Sequence, residues 1–272
     1  MYLLPHHLIS GFAYRLTRCR WVPLKNFLIK SFIALFNVDM SLAQEPEVTA
    51  YPTFNHFFTR ALRPEVRPLA PNPDAIVCPV DGAISQIGKI TGAEIFQAKN
   101  RYYNLQSLLT GDEEMVAAFQ DGLFITLYLS PRDYHRIHMP INGGLKKMIH
   151  VPGRLFPVNR QSVRTVDRLF ARNERIINYF NTESGPMALI MVGAINVGSM
   201  ETVWAGEVIP ADKGKISTTS YNESNIKLAR GAEMGRFNMG STVILLFSKN
   251  ALQWNPELVP DSPVEMGLAL GK

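Results

Sequence analysis

Cysteine is scarce in this chain of 272 residues, which contains only Cys19 and Cys78. Two thiols make neither a disulfide framework nor a cysteine-based metal cluster, so we expect them to be buried or idle and compatible with a reducing compartment. Charged residues are also few, at 19% against 46% hydrophobic residues, which is typical of a folded protein. The length suits one large domain or one domain with an appendage, and the sequence contains no internal repeat.

Long hydrophobic runs are missing as well. No run reaches the ~18–20 residues needed to span a bilayer, because Lys30 interrupts the longest one. A cleavable signal peptide is not expected, since positive charge follows the apolar stretch instead of preceding it.

Acidic residues are nearly absent from residues 1–40, which contain five basic residues and a single acidic residue, Asp39. This segment therefore carries +4 of the net charge of +5, and only +1 remains for the rest of the chain. Charge confined in this way indicates a local surface and disfavours nucleic-acid binding by the whole domain.

Residues 1–40 predict two amphipathic helices with a break near Trp21-Val22-Pro23. The second helix begins with Pro23 in its first turn and repeats apolar side chains at helical spacing, with Lys25, Asn26 and Lys30 elsewhere on the wheel. These apolar residues are Leu24, Phe27, Leu28, Phe32, Leu35 and Phe36. We interpret the segment as a helix in the membrane interface with its cations near anionic headgroups. The alternative is a helical cap on the protein's own core; the positive charge and the many phenylalanines favour the membrane.

The remaining pattern predicts an α+β fold. A short helix within 51–63, beginning at Pro52 or Thr53, completes an N-terminal helical region of residues 1–63, and four prolines make residues 64–74 a linker. Residues 75–272 predict a β-rich antiparallel domain without βαβ alternation. Its predicted strands are 75–80 and 83–88, on either side of an Asp81-Gly82 turn, and 123–129, 145–151, 175–180 and 187–192, with a hairpin loop at 181–185.

The bond between Gly240 and Ser241 combines a hydroxyl with a preceding carbonyl that carries no side chain and is open to attack. Most Gly-Ser pairs are turns, so the pair alone indicates little. Its interest depends on histidine and aspartate residues elsewhere in the chain.

Residues 130–140 carry two histidines. Ser130, Pro131 and Asp133 predict a helix start, and on a helical turn His135 and His138 would share one face. A metal site would need further ligands that no Cys or His cluster supplies. The pair is therefore either structural or catalytic.

Asp81 in its tight turn completes a possible catalytic set. With Ser241 and a histidine, it would let imidazole remove the hydroxyl proton while the carboxylate fixes the tautomer. The serine does not lie in a Gly-x-Ser-x-Gly elbow, which disfavours an α/β hydrolase.

Several motifs, in order over roughly residues 38–248, are similar to those of the bacterial phosphatidylserine decarboxylases. They are Pro79-Val-Asp-Gly82, Leu129-Ser-Pro-Arg-Asp-Tyr-His-Arg-Ile-His-Met-Pro140, Val151-Pro-Gly-Arg-Leu-Phe-Pro-Val-Asn159, Phe170-Ala-Arg-Asn-Glu-Arg175, Val192-Gly-Ala-Ile-Asn-Val-Gly-Ser199 and Gly235-Arg-Phe-Asn-Met-Gly-Ser-Thr242. Met239 stands where the family commonly has Leu, a change of similar volume from which we expect no difference in chemistry.

The resemblance implies self-cleavage of the Gly240–Ser241 bond by a triad of Asp81, His138 and Ser241. The serine oxygen would form an ester, and elimination to dehydroalanine followed by hydrolysis would leave a pyruvoyl group at position 241. The products would be a β chain of residues 1–240 and an α chain of residues 241–272. The resemblance assigns His135 to decarboxylation, as a proton donor or an orienting group.

The implied reaction converts phosphatidylserine to phosphatidylethanolamine through a Schiff base with the pyruvoyl group, without a metal. The implied protein is a heterodimer of α and β chains, peripheral on the cytoplasmic side of the cell membrane and in contact with an anionic lipid surface; a higher oligomer is left open. Arg154 and Asn159 are candidates for binding the lipid phosphate.

Three alternatives remain open from the sequence. The first is a decarboxylase of another serine-headed lipid, and the second is a serine hydrolase that does not cleave itself. The third is a β-rich membrane adaptor without catalytic activity.

Overall fold

The computed structural model describes residues 6–98, 101–194, 199–208, 214–238 and 241–272. The helices of these residues are α1 (His6–Thr17), α2 (Val22–Phe36), α3 (Phe54–Phe58), α4 (Leu105–Leu108), α5 (Glu113–Phe119), α6 (Arg160–Thr165) and α7 (Leu169–Arg172). Short 3₁₀ turns lie at Met40–Leu42, Val48–Ala50 and Pro64–Val66. None of the described helices combines the length and the apolar character that crossing a membrane would take.

The strands follow the α3 helix along the chain. They are β1 (Ile76–Val77), β2 (Gly82–Lys89), β3 (Glu94–Ala98), β4 (Arg101–Asn104), β5 (Leu123–Leu129), β6 (Arg136–His138), β7 (Gly143–Val151), β8 (Arg175–Thr182), β9 (Gly185–Gly193), β10 (Met200–Thr202), β11 (Gly206–Val208), β12 (Ser217–Ser220), β13 (Lys227–Leu228), β14 (Glu233–Phe237), β15 (Ser241–Phe247), β16 (Pro263–Val264) and β17 (Ala269–Gly271).

The predicted break between the first two helices is confirmed, with Pro23 in the first turn of α2. The predicted helix near residue 53 is also confirmed, since the Thr53 side chain caps α3 by accepting from the His56 N–H. The inner side of α2 packs on α3 through a small core of Ile29, Phe54, Phe57 and Phe58.

The burial of three side chains of α2 differs from the predicted amphipathic pattern. Lys25, which the pattern placed away from the apolar face, is buried, and its Nζ donates to the carbonyls of Thr49 and Tyr51 at 3.1 and 2.7 Å. Phe27 and Leu35 instead face outward, 66% and 77% exposed. The helix is thus apolar toward its own core and also toward solvent.

The body of the protein is antiparallel β-structure, as predicted. The main sheet has the order β12-β7-β8-β9-β15-β5-β2-β16, with β13 also pairing with β7. A smaller sheet has the order β11-β10-β14-β6, and two short pairs are β1-β17 and β3-β4. The strand pairings between these described strands are all antiparallel.

The main sheet is covered on both faces. Neighbouring residues of a strand point to opposite faces, and Tyr179 in β8 meets Phe119 of α5 while Phe180 meets Trp204. This two-sided burial explains the run of β5, which is apolar except for the buried Thr126 and whose predicted bounds of 123–129 are confirmed.

One local prediction, the helix within 130–140, is wrong, and the Asp81-Gly82 turn has a different role from that of a strand-to-strand link. The strands on either side of the predicted Asp81-Gly82 turn do not pair with each other, because β1 pairs with β17 while β2 pairs with β5 and β16. Gly82 instead allows a close approach, since a Cβ there would meet the carbonyl oxygen of Tyr128. The helix expected within 130–140 is a turn followed by strand β6, because pairing with β14 takes the backbone hydrogen bonds of this segment.

Candidate active site

Two connections that cross between the main sheet and the smaller sheet begin or end at strands that pair with each other. After β5 the chain passes through residues 130–135 into β6, and β14 is the strand that precedes β15 in the chain. β5 pairs with β15 in the main sheet, and β6 pairs with β14 in the smaller one. The topology therefore places the start of the histidine segment beside the backbone of Ser241, on the C-terminal side of the predicted cleavage bond.

Ser241 opens β15 at this crossing. Its backbone pairs with Leu129, the last residue of β5, and with Gly193, the last residue of β9. Met239 and Gly240 lie outside the described residues, and for Ser241 the description extends to the backbone alone. Position 241 is thus a strand end held from both sides, next to the start of the 130–135 loop.

The 130–135 loop is fixed by hydrogen bonds of its own. The Ser130 N–H donates to Asp133 Oδ2 at 2.6 Å, and the Asp133 N–H donates back to the Ser130 carbonyl at 3.0 Å. Burial raises the pKa of the Asp133 carboxyl. From outside the loop, Arg60 donates to the carbonyl of Arg132 at 3.0 Å. The Ser-Pro-x-Asp pattern is therefore a turn and not a helix cap.

His135 is buried between Phe58 and the Asp133 backbone. We call these three residues the His135 region. The imidazole is fully buried, and its ring lies 4.1 Å from that of Phe58, centroid to centroid. Nδ1 lies 2.8 Å from the Asp133 carbonyl, which can only accept, so Nδ1 carries the proton. Nε2 is buried and makes no hydrogen bond to any of the residues that the structure describes. Burial, helped by the charge of Arg60, lowers the pKa of His135 to about 3, so the ring presents a free lone pair at neutral pH.

His138 lies in strand β6, and both of its ring nitrogens make hydrogen bonds, to Tyr134 and to Gly231. We call these three residues the His138 region. Nδ1 donates to the Gly231 carbonyl at 2.8 Å, and Nε2 lies 2.9 Å from the Tyr134 hydroxyl. Burial lowers the pKa of His138 as well. The two histidines therefore do not share a helical face and have no neighbour in common in these contacts.

Asp81 is held by partners other than histidine. Arg67 donates to its two oxygens from Nε and Nη2, at 2.9 and 2.8 Å, and the Met266 N–H donates to Oδ1 at 2.8 Å. The turn touches β6 through its backbone, since the His138 N–H donates to the Pro79 carbonyl at 2.9 Å. The structure thus brings Asp81 close to the His138 strand, and no hydrogen bond joins the two described side chains.

A cavity of about 210 Å³ lies between the end of α2 and the 130–135 loop. Its lining is rich in arginine and aspartate: Asn37, Asp39, Leu42, Arg60, Leu62, Arg67, Asp81, Arg132, Asp133 and Tyr134. The two phosphate candidates lie elsewhere. Arg154 is exposed, and the Asn159 side chain caps α6 by accepting from the Ser162 N–H at 3.0 Å. Within the described ranges, no group of three or more His, Cys, Asp or Glu could hold a metal ion.

Sequence reasoning missed Tyr134 and Arg67. Tyr134 stands inside the quoted 129–140 motif, but its contact with His138 depends on an extended backbone that the pattern did not indicate. Arg67 belongs to the proline-rich stretch interpreted as a linker, where nothing in the sequence pairs it with Asp81. Both contacts come from tertiary structure.

Comparison with known proteins adds independent findings. A family model described as phosphatidylserine decarboxylase matches residues 54–272, and a second, described as PSD, matches residues 1–37. A protein of Azotobacter vinelandii is 52% identical over 100% of this chain and 96% of its own length. A protein of Alkalilimnicola ehrlichii is 57% identical over 90% of this chain and 86% of its own length. A protein of Stutzerimonas stutzeri is 53% identical over 100% of this chain and 92% of its own length. Each of the three is named phosphatidylserine decarboxylase proenzyme.

Proposed function

The chain belongs to the phosphatidylserine decarboxylase family, a family of enzymes, and from this premise we propose its reaction and its cofactor. The protein decarboxylates phosphatidylserine to phosphatidylethanolamine, using a pyruvoyl group that it makes from its own Ser241. The observation that carries this proposal is the position of residue 241, which opens a strand at the crossing beside the histidine loop.

Self-cleavage is the first step of the proposal. His138 accepts the hydroxyl proton of Ser241, and the freed oxygen attacks the carbonyl carbon of Gly240, so that an ester replaces the peptide bond. His138 is neutral at neutral pH because burial lowers its pKa, which suits a proton acceptor. Asp81 stabilises the resulting imidazolium through space, since its own hydrogen bonds go to Arg67 and Met266.

The two products would stay together as a heterodimer. The α chain of residues 241–272 begins with β15, which is hydrogen-bonded to β9 on one side and β5 on the other. The Met266 N–H adds a bond from the α chain to Asp81 in the β chain. Cleavage would therefore leave a new chain end in a fixed place.

The residues around position 241 fit a pyruvoyl group. Thr242 Oγ1, on the next residue, and Nε2 of His135 are buried and make no hydrogen bond within the described part of the chain. They are a donor and an acceptor available to a polar group. A pyruvoyl ketone supplies an electron sink for the decarboxylation of a primary amine that carries a carboxylate. His135, with its pKa lowered to about 3, orients the substrate by accepting a hydrogen bond, since it holds no excess proton to donate.

The outer face of α2 accounts for access to a lipid substrate. Trp21, Phe27 and Leu35 are 65%, 66% and 77% exposed, and the exposed cations Arg20 and Lys30 lie among them. We place this face in the interface of an anionic membrane, with the aromatic groups buried and the cations at headgroup level. The free thiols Cys19 and Cys78 are compatible with the reducing cytoplasmic side.

A trapping experiment tests the reaction. Purified protein is incubated with cyanoborohydride and phosphatidylserine vesicles, and the mass of each chain is measured. We expect a substrate-sized adduct on the small chain, and no adduct with phosphatidylcholine. An intact single chain with esterase activity, or an adduct only with another serine-headed lipid, would overturn the proposal.

Vesicle sedimentation tests the membrane face. The double variant Phe27→Glu, Leu35→Glu should lose binding to anionic vesicles by at least about tenfold, because two exposed apolar side chains each contribute roughly 1.5 kcal/mol or more on burial. The matched control Val259→Glu alters a side chain that is 53% exposed outside the helical region and should bind as the wild type does. Equal binding by all three proteins would contradict the assignment.

A further inference from the structure

Asn238 is the last described residue ahead of the proposed cleavage bond, two positions before Gly240. It is 2% exposed and directly follows the last residue of β14. Three peptide units join it to Ser241, so the Cα atoms of these two residues lie within about 11 Å of each other. Contacts that hold Asn238 therefore also hold the chain on the upstream side of that bond.

Asn238 is bonded through its backbone and through both ends of its side chain. Its N–H donates to the Ser199 carbonyl at 2.9 Å, which extends the pairing of β10 with β14 by one step. Its Nδ2 donates to Ser199 Oγ at 2.8 Å, and its Oδ1 accepts from Nδ2 of Asn55, in α3, at 3.0 Å. A buried amide that uses both its donor and its acceptor has one stable orientation, so residue 238 is fixed in place.

Ser199 is bonded in turn to the C-terminal end of α1. Arg18 Nη2 donates to Ser199 Oγ at 3.3 Å and to Oε1 of Glu207, in β11, at 2.8 Å. The Tyr14 ring holds the guanidinium through a cation–π contact, with Cζ of Arg18 3.6 Å from the ring centroid. These bonds connect α1 and α3 to the residue ahead of the cleavage segment. We call the connected residues the Arg18–Asn238 chain: Arg18, Ser199, Asn238 and Asn55.

Self-cleavage is sensitive to such contacts because it depends on geometry. Reacting atoms must approach to about 3–3.5 Å, and a misplacement of about 1 Å can slow a reaction by about 100-fold. Downstream of the bond, the backbone of Ser241 is held by β5 and β9. Upstream, the Arg18–Asn238 chain adds side-chain bonds to the pairing of β14, and two of its four residues belong to the helical region of residues 1–63.

We propose that Asn238 is a positioning residue for self-cleavage and that Arg18, acting through Ser199, holds it in position. Docking of α1 on the smaller sheet then sets the cleavage rate. The inference rests on the proposed function and adds no chemical step to it. It gives the helical region a task in maturation besides its proposed contact with the membrane.

The variant Asn238→Leu tests the anchor, because leucine keeps the branched shape of the side chain and removes both of its hydrogen bonds. Freshly translated precursor is followed in time on denaturing gels, with Ser241→Ala as the uncleaved reference. We expect cleavage to slow by at least about tenfold. Asn178→Leu is the matched control, since it removes another buried amide, one that donates to the Leu189 carbonyl in the main sheet; it should cleave at the wild-type rate.

Ser199 provides a milder test, which covers an Asn238→Leu variant that does not fold. Ser199→Ala removes one oxygen atom, the acceptor shared by Asn238 and Arg18, and should slow cleavage by at least about threefold. Ser199→Thr keeps the hydroxyl and should cleave at the wild-type rate. A Thr variant as slow as the Ala variant would overturn the role of this hydroxyl.

Arg18→Met tests the contribution of α1 and should also slow cleavage by at least about threefold. Arg15→Met is its control, because Arg15 lies exposed on the same helix and its loss changes the charge equally. Wild-type cleavage by Arg15→Met and slow cleavage by Arg18→Met are expected. Equal rates for the two variants would overturn the role of α1.

Hydroxylamine distinguishes positioning from a general structural defect, because it cleaves an ester and leaves a peptide bond intact. A misplaced hydroxyl forms the ester slowly, so added hydroxylamine should not speed the splitting of Asn238→Leu. Once cleaved, this variant should decarboxylate with the wild-type kcat per cleaved chain. Faster splitting with hydroxylamine, or a kcat lowered as much as the cleavage rate, would overturn the positioning role.

The wild-type precursor separates the two levels of the argument. If it does not split, the proposed function fails. If it splits, and Asn238→Leu and Ser199→Ala split at the same rate as the wild type, the positioning role fails while the proposed function stands.

Discussion

The His135 region and the His138 region lie three residues apart in sequence and differ in almost every physical respect. His135 is fully buried against Phe58 of the helical region, and its Nε2 has no hydrogen-bond partner among the described residues. His138 lies in a strand of the smaller sheet with Nε2 bonded to Tyr134. One ring offers an empty acceptor, and the other is already connected to a proton donor.

This difference suggests two separate tasks. An occupied nitrogen in a hydrogen-bonded chain suits proton transfer in the precursor, whereas a free lone pair in a dry pocket suits contact with a substrate that arrives later. The backbone enforces the separation, because His135 ends the 130–135 loop whereas His138 lies in strand β6, so the two rings do not share a helical face.

Replacement of His138 should have the largest effect. In His138→Ala the precursor should stay a single chain, with cleavage slowed by at least about 100-fold because the proton acceptor is gone. Denaturing gels over time provide the measurement, with His56→Ala, an exposed histidine, as control. Normal cleavage of His138→Ala would contradict the assignment of self-cleavage to the His138 region.

Replacement of His135 should leave cleavage in place and reduce decarboxylation. In His135→Gln we expect two chains at the wild-type rate and a kcat lower by about 100-fold, since Nε2 no longer meets the substrate. Release of carbon dioxide from phosphatidylserine vesicles is measured beside the gel. A precursor that stays uncleaved would show that His135 serves the first step instead.

Arg67 supports the His138 region through Asp81. Both side chains are only 10% exposed, so Arg67→Met leaves a buried carboxylate without its cation and should lower the free energy of unfolding by about 3 kcal/mol. Arg63→Met is the control, because the ion pair of Arg63 with Glu65 is 48% and 66% exposed; it should change stability by less than about 1 kcal/mol. Urea unfolding of both variants is the measurement, and equal midpoints would contradict this role for Arg67.

The smallest effect concerns pH. The pKa of His135 falls from 6.5 to about 3 on folding, so below pH 6.5 the unfolded chain binds a proton that the folded protein excludes. Stability from this residue is full above pH 6.5 and is lost as pH falls toward 3. His135→Phe should therefore lose less stability between pH 7 and pH 5 in urea unfolding. An identical pH dependence in both proteins would show that the buried ring does not resist protonation.

Much of the fold could be predicted from local pattern. The apolar run of β5 gave its bounds, and the proline at residue 23 located the break between α1 and α2. These features depend on burial and on local backbone preference, which a single sequence displays.

Features that depend on distant partners could not be read in the same way. The 130–140 segment has helix-start residues, yet pairing with β14 makes part of it a strand. Lys25 is a charged residue, yet it is buried, because its Nζ donates hydrogen bonds to the carbonyls of Thr49 and Tyr51. The residue types of the site were visible in the sequence, whereas the partners of Asp81 and His138 were not.

The mass of the chains of the purified protein tests the central claim most directly. The account predicts two chains, of residues 1–240 and of the 32 residues 241–272, with a pyruvoyl group instead of serine at the start of the smaller one. His135→Gln should give the same two masses, and His138→Ala should give one. An intact wild-type chain of 272 residues, or a smaller chain that begins with an unmodified serine, would contradict the account.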